Sequence, residues 1–351
     1  MKIAIIGAGF FGLSIASMLE KNKKFNANIE IFDSSDEPFS GASFNNQCRV
    51  HQGFHYPRSA FTIYQSIIGF DQFISEFADA VSPVSKNWYL IRDDGLVNKS
   101  EYLAVMDAFS MEYAIHDNPP AYIKNKSRYE LSILTNEYSV NLKKLKKIVL
   151  SQIKSKIHLK QKVVEINAEE GLFKTNNNTF GPFDLIINCT YNNTNLGLGS
   201  NALDLKYELA ALVYGNTNLE NNEAITIMDG PFVSVYPAGN NRHTLSSVLH
   251  TPFKKYDNYE IFNQNYINRI KIAEKNDVAN KIIEHVKDYI NIDIDYEKIW
   301  ISGKTKIKSD KGDSREVLIR HNKRVMSVLG GKLDAIYQTN QKVLEYINGI
   351  K

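Results

Sequence analysis

Five side chains able to do acid–base or anion chemistry fall in one short stretch, Arg49-Val-His-Gln-Gly-Phe-His-Tyr-Pro-Arg58. His51 and His55 carry imidazoles, which titrate near neutrality and so can take up or release a proton at working pH. Arg49 and Arg58 are permanent cations whose forked donors suit a carboxylate or a phosphate. Tyr56 adds an aromatic face with a hydroxyl. No helical or strand periodicity accounts for these positions, which predicts a loop lining a site. Just upstream, Gly41-Ala-Ser43 offers small residues that let backbone amides approach a phosphate or a planar ring.

The elements that must position this loop begin at the second residue. Ile3, Ala4, Ile5 and Ile6 form an unbroken apolar run, the pattern of a parallel strand buried on both faces. Gly7, Gly9 and Gly12 follow as G-x-G-x-x-G, and Leu13, Ile15, Ala16 and Leu19 continue as an apolar helical face. In such a unit the glycines give a tight turn, close approach of backbone to a pyrophosphate, and close packing of helix on strand. The amides and positive dipole end of the helix then face phosphate. Ile29 and Ile31 start a second strand that ends on Asp33, placed to accept from a ribose hydroxyl. Strand, glycines, helix and terminal carboxylate together predict a dinucleotide site, with NAD and FAD both open at this point.

Composition bounds the rest. The 351 residues suffice for two domains or one two-lobed unit, and 43% hydrophobic with 23% charged content is that of an ordinary globular chain. A net charge of +3, from 42 basic and 39 acidic residues, gives no reason to expect a nucleic-acid partner. Two cysteines, Cys48 and Cys189, cannot build a disulfide framework, and the first strand leaves no room for a signal peptide. No apolar run approaches the roughly eighteen residues needed to span a bilayer. The expected location is the cytoplasm.

Downstream, residues 61–80 read as a helix with Ile63, Phe70, Phe73 and Phe77 on its core face, and Tyr102–Met111 as another. Asn87–Arg92 reads as a strand, and Asn118-Pro-Pro120 breaks structure. Val140–Ile157 reads as a helix whose many lysines make a solvated face opposite Leu142, Leu145 and Val149. Gly171–Thr175 with Thr179–Phe180 reads as a hairpin, and Phe183–Tyr191 as a second buried parallel strand. Four strands, at 208–214, 224–228, 232–236 and 243–250, then predict an antiparallel sheet, followed by helices over about 258–274 and 278–290. Val325–Leu329 reads as a strand, after which Gly330-Gly331 opens a helix carrying Leu333, Ile336, Val343 and Leu344.

The fingerprint at Gly7–Gly12, the Gly41-Ala-Ser43 and His51-Gln-Gly-Phe-His-Tyr56 segments, and Gly330-Gly-Lys-Leu333 stand in the order found in the D-amino-acid-oxidase superfamily of FAD-dependent oxidoreductases, which the chain resembles over nearly its whole length. The resemblance implies an α/β fold, a Rossmann-like FAD-binding domain of glutathione-reductase type interleaved with an antiparallel-sheet substrate lobe. It implies FAD-binding segments at 1–80, 140–200 and 303–351, and a substrate lobe at 81–139 and 201–302. The cofactor residues implied are Gly7, Gly9, Phe10, Phe11, Gly12, Asp33, Ser34, Ala42, Ser43, Arg49, Val164, Thr190, Gly330, Gly331, Lys332 and Leu333. Among these, Val163–Ile166 is the strand expected to return to the dinucleotide domain, and Val164 is the residue expected to offer its backbone to adenine. Cys189-Thr-Tyr191 departs from the Ala-x-Gly usual in the family.

The implied reaction is transfer of a hydride from a C–H beside an amine or hydroxyl of a small polar substrate (an amine, hydroxy acid or sugar derivative) to flavin N5. His51 or His55 would take the proton, Arg315 would bind a substrate carboxylate or phosphate over the flavin or else form a structural salt bridge, and Tyr56, Arg58, Tyr236 and His250 would line the substrate pocket. Some family members attach FAD covalently through histidine, and either histidine could do so here. Two alternatives stand beside this reading. Gly9-Phe10 with His51-x-Gly-x-His55 is similar to UDP-galactopyranose mutase, which rearranges a nucleotide sugar without net oxidation; the other is a flavin-binding protein with no catalytic role. The substrate, the electron acceptor and the oligomeric state are left open.

Overall fold

The computed structural model describes residues 1–22, 24–25, 27–220, 222–266, 270–308 and 317–349. Its mixed α/β architecture is built on two large sheets. The first has six strands, in the order Leu318–Asn322, Val325–Leu329, Leu185–Asn188, Lys2–Ile6, Asn28–Phe32 and Lys156–His158. All neighbours run parallel except the antiparallel edge Leu318–Asn322. Burial on both faces explains the unalternating apolar runs: Ile3, Ala4, Ile5, Ile186 and Ile187 are at most 1% exposed.

The helix Phe10–Lys21 packs on this sheet so closely that a Cβ on Gly12 would lie 1.9 Å from the carbonyl oxygen of Gly7. Gly7 itself has φ +106° and lies against the backbone of Cys189 at the end of the neighbouring strand. Helices Ala60–Glu76, Leu142–Ser151 and Ile336–Gly349 share the core beneath.

The second sheet has nine strands and is antiparallel apart from the parallel pair Lys86–Arg92 and Glu223–Met228. Its spine is Leu205–Thr217, which pairs with Arg242–Ser247, Pro252–Tyr256 and the 14-residue strand Ile294–Ile307. The helix Ile272–Tyr289 covers one face through Val278, Ala279, Ile282 and Val286. A small third sheet ties the histidine loop down: Arg49–Val50 and Val81–Pro83 both pair with Tyr138–Val140.

Several elements depart from expectation. Val163–Asn167 does not return to the parallel sheet; it forms an antiparallel three-stranded sheet with the expected hairpin, and Lys156–His158 is the strand that joins the parallel edge. The predicted helix over 140–157 splits accordingly, into the strand Tyr138–Val140, the helix Leu142–Ser151 capped by the Asn141 side chain, and that edge strand. The helix expected over 258–274 is only Tyr259–Gln264, and the next one starts earlier, at Ile272. Strand Ile294–Ile307, unforeseen because its burial does not alternate (exposed from Asp295 to Lys298, buried from Ile301 to Gly303), runs through position 303, where the expected segment boundary fell. Gly330-Gly331 is followed by extended backbone at Lys332 and a 3-10 turn over Leu333–Ala335, so the last α-helix begins only at Ile336. Among the described residues, no helix is long and apolar enough to cross a membrane.

Candidate active site

One cavity of about 1470 Å³ runs from the end of the strand Asn28–Phe32 to the antiparallel sheet. That exceeds the roughly 300–1,000 Å³ of a drug-sized ligand pocket. At its nucleotide end, Asp33 and Ser34 face Gln161, Lys162 and Val163. The Asp33 carboxylate is fixed by two amides, Ala8 N–H to Oδ2 at 2.6 Å and Ser35 N–H to Oδ1 at 2.8 Å. Gly9 sits where a Cβ would come within 3.0 Å of the Ser43 hydroxyl, and that hydroxyl accepts the Phe10 amide at 2.9 Å. The start of the helix is therefore open backbone and hydroxyl, a cradle matched to a pyrophosphate.

Farther in, Phe11, Ala42, Thr190, Gly330, Gly331, Lys332 and Leu333 line the walls. Thr190 is held by Asn188, whose buried amide also donates to the carbonyls of Asn193 and Thr194 and curls the loop. Lys332 is only 5% exposed; its Nζ donates to Ser66 Oγ at 2.8 Å and the Thr62 carbonyl at 3.3 Å, and lies 5.1 Å from the centre of the Tyr56 ring. Beside it Asp334 is buried, which pushes its carboxyl up to about 6.

At the far end the histidine loop meets the antiparallel sheet. The rings of His51, His55 and Tyr56 stand 5.3 Å from one another, and all three line the cavity. Arg58 pairs with Asp229, which is also on the wall, bridging the loop to the end of the strand Glu223–Met228. Arg49 is buried: its Nη2 donates to Thr226 Oγ1 at 2.8 Å and Ser234 Oγ at 2.9 Å, with the guanidinium 4.0 Å from the centre of the Tyr236 ring.

Four described positions from the sequence do not reach this space. Val164 is 48% exposed on the antiparallel strand, and its neighbour Val163 is the residue that lines the cavity. Tyr236 is fully buried and spends its hydroxyl on the Tyr138 carbonyl; it packs on Arg49 rather than on a substrate. His250 lies beyond the wall against His285, because its amide is turned back onto Ser247 Oγ. Gly12 packs helix on strand from behind the cavity. Arg315 lies outside the described residues. Conversely, Asp229, Thr226, Ser234, Tyr89 and Glu137 escaped notice, since each sits in an ordinary strand or turn and is brought to the site only by sheet pairing.

The arrangement fits FAD on its own terms: the glycine cradle has no room for side chains, the carboxylate is oriented for a ribose, and the extended cavity ends at proton-handling side chains. A family profile described as FAD dependent oxidoreductase matches residues 2–109. Over these residues the chain carries a domain of the D-amino-acid-oxidase type of FAD-dependent oxidoreductase. FAD is its cofactor. Over 353 residues the chain is 27% identical to the FAD-dependent monooxygenase FPY4 of Fusarium mangiferae, covering 99% of this chain and 91% of the relative. Its fold is that of the FAD-bound L-alpha-glycerophosphate oxidase of Mycoplasma pneumoniae, with a TM-score of 0.73 at 14% identity over 99% and 94% of the two chains. Glycine oxidase from Geobacillus kaustophilus gives a TM-score of 0.70 at 11% identity over 98% and 93%.

Proposed function

We propose that this oxidoreductase removes a hydride from a C–H next to an amine or hydroxyl of a small polar substrate. The single observation that carries the reading is the placing of His51, His55 and Tyr56 on the same cavity that begins at the glycine cradle. Bound FAD supplies the electron sink for the substrate hydride. The chain itself does the rest. A histidine takes the proton from the substrate N–H or O–H, which a neutral imidazole can do near neutrality. Tyr56 and the Arg58–Asp229 pair offer an aromatic face and both signs of charge for orienting a polar substrate. Gly330, Gly331 and buried Lys332, whose Nζ lies 5.1 Å from the centre of the Tyr56 ring, hold amides and a cation on the same cavity, where they stabilise negative charge.

In this reading residues 1–80, 140–200 and 303–351 serve the cofactor and residues 81–139 and 201–302 the substrate. Two buried, unbridged cysteines favour a reducing compartment, the cytoplasm. The relatives are named oxidases and a monooxygenase, which favours oxidation over the mutase and non-catalytic alternatives.

Anaerobic mixing of the FAD-loaded protein with a panel of amines, hydroxy acids and sugar derivatives tests the proposal. At least one class should bleach the flavin with no nicotinamide present; failure of the whole panel contradicts it. The name of the Fusarium relative favours one second reading, oxygen insertion. Flavin bleaching that requires NADH or NADPH, with dioxygen oxygen appearing in the product, would establish that instead.

A further inference from the structure

Behind the two cavity histidines lies a buried polar chain with a fixed direction. Pairing of Val50 with Tyr138 brings the next residues, His51 and Glu137, side by side. Glu137 is fully buried. Its Oε1 accepts the Gln52 amide at 2.9 Å, and its Oε2 accepts the Tyr89 hydroxyl at 2.8 Å and the Asn87 amide at 3.1 Å. Oε1 also faces His51 Nδ1 at 3.9 Å. At the other end, Arg49 Nη1 donates to Tyr89 Oη at 3.3 Å and lies 3.4 Å from His55 Nδ1.

We infer that Glu137 is the positioning residue that makes His51 the proton acceptor of the pair, while Arg49 holds His55 neutral. The inference rests on the oxidation proposed above for the identity of the reaction. It does not rest on it for the asymmetry between the histidines.

Arginine has no acceptor, so its contact with His55 requires Nδ1 to be the unprotonated nitrogen, with the hydrogen on Nε2. Protonating His55 would set an N–H and a second positive charge against the guanidinium. Tyr89 accepts from Arg49 and therefore gives its only hydrogen to Glu137. Both Glu137 oxygens act as acceptors, the role of an ionised carboxylate, and that negative charge stands at ion-pair distance from His51. A proton on His51 is stabilised by it. Among the described residues, and besides Arg49, Glu137 and Tyr89, whose ring centre lies 6.5 Å from that of His55, the titratable or charged groups facing the two rings are Tyr56 and, across the Tyr56 ring, Lys332. Neither opposes this asymmetry, because Tyr56 is equidistant from both imidazoles. The substrate H–C–X–H, with X nitrogen or oxygen, gives its C–H hydrogen with both electrons to FAD and its X–H proton to His51 Nε2. A C=X double bond remains, and dioxygen or another acceptor later removes the two electrons.

Proton-detected imidazole NMR on the 15N-labelled, FAD-loaded protein tests this, with signals assigned through His51→Asn and His55→Asn. His51 should protonate at higher pH than His55. Glu137→Gln should lower the His51 midpoint by about one pH unit or more, the size of an opposite charge at this range, and leave His55 in place. Tyr89→Phe, which breaks the hydrogen bond but keeps the charge, should move His51 far less. Equal midpoints in the unaltered protein, an unmoved His51 in Glu137→Gln, or an equal shift in Tyr89→Phe would each overturn the inference. Once a reducing substrate is in hand, the alkaline rise in flavin bleaching should shift to lower pH in Glu137→Gln. If the NMR asymmetry holds but no substrate bleaches the flavin, the proposed oxidation fails and the histidine assignment stands.

Discussion

The Asp33 carboxylate accepts the Ala8 amide at 2.6 Å, which locks the end of the second strand to the glycine turn between the first strand and its helix. The same carboxylate holds Ser35 N–H at 2.8 Å. It is thus oriented before any ribose arrives. Replacing it by Asn sets an amide hydrogen against one of two backbone donors. Asp33→Asn should weaken FAD binding at least about tenfold, or about 1.4 kcal/mol, in a flavin fluorescence titration. An unchanged dissociation constant would remove Asp33 from the site.

Two glycines should respond to alanine for different reasons. At Gly12 the new Cβ has nowhere to go, being 1.9 Å from the Gly7 carbonyl oxygen. Gly12→Ala should cost about 1–3 kcal/mol or more as overpacking and release FAD, because helix and strand must separate. At Gly41, φ is +57° with nothing within 4 Å of the added carbon. Gly41→Ala therefore meets backbone strain alone, about 1 kcal/mol, and should keep FAD. Melting curves with and without added FAD separate the two outcomes.

His243 gives the fold an acid-sensitive term. It is buried between the Thr217 hydroxyl on Nδ1, 2.9 Å, and the Glu223 carbonyl on Nε2, 3.1 Å, and burial pushes it down to about 4. Its folded pKa lies below the unfolded value near 6.5, so the unfolded chain binds a proton that the folded chain refuses. Stability on this account falls as pH drops from about 6.5 to about 4, by up to about 3 kcal/mol. Asp334, raised to about 6 by burial, runs the other way: the folded state keeps its proton between about 3.9 and 6, which favours folding at the acid end. Urea unfolding at pH 6.5 and 4.5 should show His243→Gln losing less stability on acidification than the unaltered protein. Equal losses would contradict the assignment.

Cys48 and Cys189 are both buried, which pushes each thiol up to about 12. At pH 8 almost no thiolate is present, so a disulfide reagent should label neither in the folded protein and both after unfolding. Rapid native labelling of either would show that the core around it opens.

The dinucleotide half was legible because its signals are local. A buried parallel strand, three glycines and a terminal carboxylate follow one another directly, and each has one physical task. The cavity end was only half legible. Arg49, His51, His55, Tyr56 and Arg58 announced themselves by their chemistry, yet Tyr236 and His250, chosen the same way, face the core and a neighbouring helix. Residue type alone does not say which face of a strand a side chain takes. Glu137 was invisible for a different reason. It reaches His51 through the pairing of strands that lie far apart in the chain, and nothing around Asn136-Glu137 marks it. Val164 failed by one position, and a single step along a strand reverses the face.

In the proposed oxidation, substrate carbon gives its hydrogen to a flavin held in this cavity. The most direct measurement is the anaerobic rate of flavin bleaching by a reactive amine or hydroxy acid, compared with the same compound deuterated at the carbon beside nitrogen or oxygen. Bleaching should proceed without nicotinamide and be slowed by the deuterium. Bleaching that requires NADH or NADPH and is indifferent to substrate deuteration would contradict the proposed oxidation.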